Sequence, residues 1–319
     1  MHRPRRYEIM SAFARMVSVG VAFLAGACAP AAPVAAGPSP VAEFRVVEDR
    51  SGMETPFQQM VTRSLRGNVV FFGEQHGDPA THRAELALLD GIGRSGRPVV
   101  VSLEMFERDV QPALDDYLAG RISEGDFLAR SRPWPRYATD YRPLILLAKS
   151  RGWRVVAANV PRPIASAIGR EGLRVLDTLG AARPHAASDV SCPADLYRER
   201  FLQQMRSHSP GGGTAAQAGD SLPTAVAERF YLAQCVKDET MAESIVNALR
   251  SASADAIAVH FNGAFHSEYG QGVVERVRRR EPRWDLATVA AIPVGEPATA
   301  AHAAHDGLAD FLVFTRRPN

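Results

Sequence analysis

The stretch FFGEQHGDPATHRAEL, Phe71–Leu86, places two histidines and several acidic residues where an apolar run ends. Glu74 and His76 come directly after that run, and His82 follows six residues later. A buried carboxylate is costly unless it is paired or metal-bound, so Glu74 beside a buried segment indicates a site. Carboxylates and histidines together suit a divalent metal or acid–base chemistry.

Polar residues follow three further apolar runs in the same way. Glu104 follows PVVVSL, Asn159 follows WRVVAA, and Gly263 and His266 come after DAIAVHF. Ligands of open α/β sheets bind outside the carboxyl ends of the strands. We therefore expect one crevice at these strand ends. Its candidate residues are Glu74, His76, Glu104, Asn159 and His266, with Gly73, His82 and Gly263 in support.

The remaining histidines fit less chemical roles. His82 either reaches the crevice or caps the next helix and faces solvent. His260 lies inside a predicted strand, which indicates a core or supporting position. His302 and His305 occupy an Ala-rich segment that is typical of a surface. The chain has no GxSxG, HExxH or P-loop motif.

Short β-branched runs alternate with longer helical patterns along the chain. This alternation predicts an α/β fold, a mostly parallel sheet flanked by helices. The predicted strands are Asn68–Phe72, Pro98–Leu103, Trp153–Ala158, Asp255–Phe261, Leu286–Ile292 and Phe311–Thr315. The predicted helices are Thr81–Ile92, Val110–Ala119, Glu124–Arg130, Tyr141–Arg151 and Phe230–Arg250.

The folded domain is predicted to span residues 43–319, with a helical insertion at about 165–250. Residues 207–223 are rich in Gly, Ser and Ala and lack periodicity, which is typical of a mobile loop inside that insertion.

The N-terminus has the features of an export signal. A basic head precedes an apolar run too short to span a bilayer, so residues 1–28 predict a signal peptide. Leu24–Cys28 is similar to a bacterial lipobox, although Leu24 stands four residues before Cys28 rather than three. Residues 29–42 are an Ala/Pro-rich tether. We expect a periplasmic protein, lipidated at Cys28 and anchored to the outer membrane; the alternative is a soluble periplasmic protein cleaved elsewhere.

Cleavage before Cys28 would leave the mature chain nearly neutral. The whole chain has 37 Lys and Arg against 35 Asp and Glu. Loss of Arg3, Arg5, Arg6, Arg15 and Glu8 leaves 33 against 34. No basic field then favours nucleic acid as a partner.

Two cysteines remain after Cys28. An exported protein meets conditions that permit disulfides, so we expect Cys192 to pair with Cys235. Two free buried thiols are the alternative.

A shared pattern joins five segments of the chain. They are GEQHGDPATHRAEL (73–86), VVVSLEMFERDVQPALDDYLAG (99–120), YRPLILLAKSRGWRVVAANVPR (141–162), AQCVKDETMAESI (233–245) and FNGAFHSEYGQGVVERV (261–277). Together they resemble the ChaN-like family of haem-binding, iron-regulated lipoproteins, over about residues 60–316. That family shares a superfamily with the Tiki metalloproteases and the erythromycin esterases.

The resemblance implies haem binding, with paired haems at a homodimer interface and ligation of the Tyr/His type. It also implies a catalytic or metal site at Glu74, His76, Glu104 and Gly263–His266. Haem needs a flat apolar slot, an axial ligand and cations for its propionates. The candidate tyrosine ligands are Tyr137, Tyr141, Tyr197, Tyr231 and Tyr269.

Three hypotheses follow. The first is a haem-binding lipoprotein in haem or iron acquisition. A second is a metal-dependent or acid–base hydrolase that uses the strand-end crevice. In the third, the chain keeps the superfamily motifs for structure alone.

Overall fold

A computed structural model of the protein describes residues 44–207 and 223–317, which fall within one compact unit. The predicted signal peptide, the tether, Cys28 and nearly all of the loop predicted at 207–223 lie outside these residues. Among the helices described, none is both long and apolar enough to cross a membrane.

The described strands form one eight-stranded sheet. They are β1 (Phe44–Glu48), β2 (Met53–Glu54), β3 (Val69–Glu74), β4 (Val99–Glu107), β5 (Arg154–Asn159), β6 (Ile257–Gly263), β7 (Leu286–Val294) and β8 (Phe311–Arg316). Their order is β2-β1-β8-β7-β3-β6-β4-β5. The six strands from β8 to β5 are parallel, which confirms the predicted mostly parallel sheet. Strands β1 and β2, which the sequence did not predict, add an antiparallel edge.

Helices cover both faces of this sheet. They are α1 (Phe57–Ser64), α2 (Pro79–Gly93), α3 (Gln111–Leu118), α4 (Glu124–Ser131), α5 (Tyr137–Asp140), α6 (Arg142–Arg151), α7 (Arg162–Glu171), α8 (Leu196–Ser207), α9 (Thr224–Arg250) and α10 (Val273–Arg280). Helices α1 to α6 supply the apolar residues of one face, called here the α2 face. Helices α9 and α10 supply those of the other, the α9 face.

Strand alternation decides which face each site residue joins. On β3, Val70 and Phe72 belong to the α2-face core, so Glu74 points to that side. On β4, Val100 belongs to the α9-face core, and Glu104 has the same parity. The two glutamates therefore leave the sheet on opposite faces.

Strand β4 is longer than the sequence indicated. It continues to Glu107 instead of ending at Leu103, and its register against β5 shifts between those two residues. Its pairing with β6 stops where Leu103 meets Phe261. Glu104 thus begins an irregular stretch, a common way for a strand to redirect a side chain toward a site.

The disulfide predicted between Cys192 and Cys235 is not formed. Both cysteines are free, and the sulfurs are not at bonding distance. Cys235 is buried in a small apolar cluster with Tyr197 and Tyr231, against which Cys192 packs. Burial raises the pKa of the Cys235 thiol, so the cysteine acts here as an apolar packing residue.

Candidate functional site

A crevice of about 350 Å³ opens at the carboxyl ends of β3 and β6. Both polar and apolar side chains line it. The polar residues are Glu74, Gln75, His76, Gln204, Gln234, His266 and Glu268, and the apolar rim includes Phe201, Met205 and Phe265. The structure thus places four of the predicted residues, Glu74, His76, Gly263 and His266, around one opening.

Glu74 is anchored on the α2 face. Its Oε1 accepts hydrogen bonds from the Tyr141 hydroxyl at 2.8 Å and from His76 Nδ1 at 2.6 Å. Its other oxygen, Oε2, is buried with no hydrogen-bond partner. Because the carboxylate lies against apolar strands, these two donors are what make its burial tolerable.

His82 is neither a helix cap nor a solvent-facing residue. Asp78 caps α2, while the buried His82 ring lies between Glu85 Oε2, 2.8 Å from Nδ1, and Asp140 Oδ2, 3.2 Å from Nε2. Burial and the charge of Glu74 raise the pKa of Glu85 well above its usual range. The donor atoms of Glu74, His82 and Glu85 lie within 4.8 Å of one another, so this group could hold a metal.

Glu104 lies on the α9 face, beneath the crevice floor. Its Oε2 accepts a hydrogen bond from the Gly263 N–H at 2.7 Å, and its Oε1 is 3.3 Å from His266 Nε2. The other ring nitrogen of His266, Nδ1, lies 2.5 Å from Asp238 Oδ1. The imidazole is thus held between two buried carboxylates, and Asp238 in turn accepts from Tyr197 at 2.8 Å.

This arrangement fixes the charges of the pair. Burial alone would lower the pKa of His266, but the charges of Glu104 and Asp238 raise it to about 10. Burial alone would raise the pKa of Glu104, yet the His266 charge holds it well below its usual range. At neutral pH the site therefore contains an imidazolium between carboxylates.

His76 joins the two faces. Its side chain is half-exposed, Nδ1 binds Glu74, and the ring packs edge-on against Trp134 with centroids 5.1 Å apart. A Cβ at position 263 would lie 2.7 Å from His76 Nε2, so the glycine there admits the imidazole. Burial alone would lower the pKa of His76, but the hydrogen bond to Glu74 and the nearby negative charges raise it.

Asn159 and His260 are not among the residues that line the crevice. Asn159 lies at the end of β5, and its Oδ1 accepts a hydrogen bond from the N–H of Val160. His260 is buried in β6 with Nδ1 2.9 Å from Ser102 Oγ, and burial lowers its pKa to about 3. The predicted core or supporting role of His260 is confirmed. Gly73 faces Ala264 and Ser267, where an added Cβ would lie 2.9 Å from Ser267 Oγ.

Four of the five candidate tyrosines are buried with an engaged hydroxyl. Tyr137 donates to Glu124, Tyr141 to Glu74, Tyr197 to Asp238 and Tyr231 to the Pro193 carbonyl. Burial raises the pKa of each of these hydroxyls. Tyr269 differs, because 46% of it is exposed.

Tyr269 lines a groove of about 800 Å³ beside the crevice. Its apolar floor is formed by Ala291, Ile292, Pro293, Val294 and Leu308. His76, His305 and Arg317 also line it, and His76 therefore borders both cavities. His305 is only half-buried and packs against Phe314, so its segment is near the surface but adjoins this groove.

The sequence reasoning missed three acidic partners of the site. Asp238 lies fully buried in the middle of α9, Glu85 follows His82 by one helical turn, and Asp140 ends α5. A signal existed for Glu85, since residues three apart on a helix are neighbours. Asp238 and Asp140 reach the site only through tertiary packing.

The sequence matches the family model described as haem-binding uptake, Tiki superfamily, ChaN, over residues 60–277. The chain belongs to this family. A plant protein, the chloroplastic RETICULATA-RELATED 5 of Arabidopsis thaliana, is 24% identical to this chain over 232 residues. That match covers 69% of this chain but spans only about 30% of the plant protein.

Two solved structures are similar to this chain. ChaN of Campylobacter jejuni, described with cofacial haem, is 13% identical, with a TM-score of 0.59 over 86% of this chain and 97% of its own. An erythromycin esterase in its open conformation is 13% identical, with a TM-score of 0.43 over 86% of this chain and 83% of its own. The Campylobacter structure agrees with the α/β architecture described above.

The pH behaviour of His266 is a test of the charge arrangement in this ChaN-family protein. Its folded-state pKa of about 10 exceeds the ordinary value of 6.5, so its stabilising contribution is complete below about pH 6.5 and is lost as the pH rises through about 10. We expect histidine NMR titration of the folded protein to show one imidazole with a midpoint near 10, lowered in Glu104→Gln. A wild-type midpoint near 6.5 for His266 would contradict the arrangement.

Proposed function

We propose that the protein binds haem in the groove beside the crevice, with the Tyr269 phenol as an axial ligand to the iron. The single observation that carries this proposal is the exposure of Tyr269 at a groove that also contains two histidines and an arginine. The other four candidates are buried, and each hydroxyl is already engaged.

The backbone conformation of Tyr269 supports a functional role. Its φ of +59° and ψ of +20° lie in the left-handed region, which costs a non-glycine residue of order 1–3 kcal/mol. A hydrogen bond of 2.7 Å from its N–H to the Leu308 carbonyl holds this conformation. The guanidinium of Arg200 lies over the ring, 4.1 Å from its centroid, and thereby fixes its orientation.

The remaining groove residues match the parts of a haem. The apolar floor along β7 suits a porphyrin face, and His76 and His305 offer imidazole nitrogens on the same groove. Arg317 supplies a cation suited to a propionate carboxylate. When bound, haem iron would provide the ligation and redox chemistry; this chain would supply the slot, the phenol and the cation.

Haem titration of the purified protein tests this assignment. We expect a saturable Soret shift in the wild type and at least a tenfold weaker affinity in Tyr269→Phe, because only the hydroxyl is removed. Tyr137→Phe is the matched control, since it loses the same group at a buried position and should bind as the wild type does.

Two outcomes would contradict the proposal. One is the absence of saturable binding to the wild type. The other is unchanged affinity and spectrum in Tyr269→Phe. Light scattering during the same titration reports whether two haem-loaded chains form the homodimer that the family resemblance implies.

We propose further that the protein is a periplasmic lipoprotein of the outer membrane that takes part in haem or iron acquisition. The basic head, the short apolar run and Cys28 support this proposal. We expect the full-length protein to fractionate with membranes and Cys28→Ser to be released, with a mass that lacks lipid. Wild-type protein without lipid on Cys28 would contradict the anchor, and normal growth of a deletion strain on haem as sole iron source would contradict the role in acquisition.

The crevice favours a second candidate function, hydrolysis. The specific observation is a half-exposed imidazole, His76, whose Nδ1 is oriented by Glu74 and whose Nε2 lies against Gly263. His76 lines the crevice together with the cationic His266. His76 Nε2 could take a proton from a water, while Glu74 stabilises the imidazolium that forms. His266 would stabilise negative charge on the substrate carbonyl oxygen.

Turnover of p-nitrophenyl acyl esters tests the hydrolase hypothesis. Activity should fall at least 100-fold in His76→Gln and in Glu74→Gln, because one removes the base and the other its partner. Glu296→Gln is the matched control, since that carboxylate is exposed and paired with Arg316. Activity that survives both crevice substitutions would remove the crevice as its source.

A further inference from the structure

A buried cluster behind the crevice contains two carboxylate oxygens without a hydrogen-bond partner. Glu74 and Glu85 are 1% and 0% exposed, and Glu74 Oε2 and Glu85 Oε1 have no hydrogen-bond partner. His82 Nδ1 lies 2.8 Å from Glu85 Oε2 and 3.8 Å from Glu74 Oε2. Unpaired carboxylate oxygens inside a protein are costly, so this geometry favours a shared proton or a bound cation among them.

The hydrogen-bond partners of the His82 ring bear on which of its nitrogens can bind a cation. Its Nε2 lies 3.2 Å from Asp140 Oδ2 and 3.5 Å from the His76 carbonyl, both of which are acceptors. When Nε2 carries the ring proton, the lone pair of Nδ1 faces the carboxylates of Glu74 and Glu85. Three electron-pair donors then face one another, an arrangement that needs a shared proton or a cation among them.

The neighbouring cations are committed elsewhere. Arg136 is paired with Asp140 at 2.7 Å. His76 and the Tyr141 hydroxyl both donate to Glu74 Oε1, and Glu74 Oε2 is left without a hydrogen-bond partner. The charge of Glu74 Oε2 and Glu85 must therefore be balanced by a bound proton or by a metal ion.

We propose that Glu74, His82 and Glu85 bind one divalent metal ion, with His82 ligating through Nδ1 and Asp140 orienting its ring. One imidazole with two carboxylates suits a borderline ion such as Zn²⁺, Mn²⁺ or Fe²⁺. A carboxylate that accepts from the second ring nitrogen is the usual support of a metal-bound histidine. The three donor atoms lie within 4.8 Å of one another. Ligands that each lie about 2.1 Å from one ion are at most about 4.2 Å apart, so we expect the three side chains to draw together when the ion binds.

This site is distinct from the haem groove and from the imidazolium of the crevice. It lies on the α2 face, whereas Glu104, Asp238 and His266 lie on the α9 face. Glu74 belongs to both the crevice wall and the metal site. A metal there would therefore fix the carboxylate that orients His76.

Zn²⁺ binding to the full chain, stripped with a chelator and kept free of haem, tests the proposal. We expect one Zn²⁺ per chain by isothermal titration and native mass spectrometry, with affinity at least 100-fold weaker in Glu85→Gln. Asp140→Asn should weaken binding by about 10- to 100-fold, as expected for loss of a supporting carboxylate. Glu296→Gln is the matched control that should bind as the wild type does, because that carboxylate is exposed and paired with Arg316.

X-ray absorption of the Zn²⁺-loaded wild type provides a readout that needs no variant. It should show one imidazole and oxygen ligands at about 2.0–2.1 Å. A shell with two imidazoles, or binding lost in Glu104→Gln, would place the ion at His76 and His266 and overturn the assignment. Absence of stoichiometric binding by Zn²⁺ and Mn²⁺, or unchanged affinity in a folded Glu85→Gln, would leave a shared proton as the cation and overturn it as well.

Discussion

Negative charge buried at the carboxyl edge of the sheet is the constraint around which the surrounding elements are arranged. Glu74 and Glu104 follow apolar strand segments, and both are almost fully buried. Each therefore requires donors from the elements packed above it. Tyr141 and His76 serve Glu74, whereas His266 and a backbone N–H serve Glu104.

The partners of these carboxylates also fix the helices. Tyr141 ties the start of α6 to β3, and Asp238 ties the middle of α9 to the turn after β6 through His266. Since the two glutamates leave opposite faces of the sheet, the helical layers on both sides converge at one edge. A polar opening results, with a cationic imidazole on one side and a carboxylate-oriented imidazole on the other.

The sequence predicted the sheet well because buried parallel strands appear as unbroken apolar runs. It also predicted that Glu74, His76 and His266 lie at one edge of the sheet, since the carboxyl ends of parallel strands meet there. It did not reveal the opposite faces of Glu74 and Glu104, because these strands are apolar on both faces and the sequence does not say which helices cover each face. The sequence also did not reveal which candidate tyrosine is exposed. The turn Glu268–Gly270 places Tyr269 at the surface, whereas the other four tyrosines are buried.

Gly263 shows how much of this site depends on a missing atom. The space that a methyl group would occupy there is filled by the Nε2 edge of His76, and its N–H is the donor that holds Glu104. Any larger residue must displace that imidazole, even though the backbone angle itself, φ −55°, is open to every amino acid. Intolerance to substitution at this position would therefore arise from crowding by a side chain 187 positions away in the sequence, and not from the local backbone.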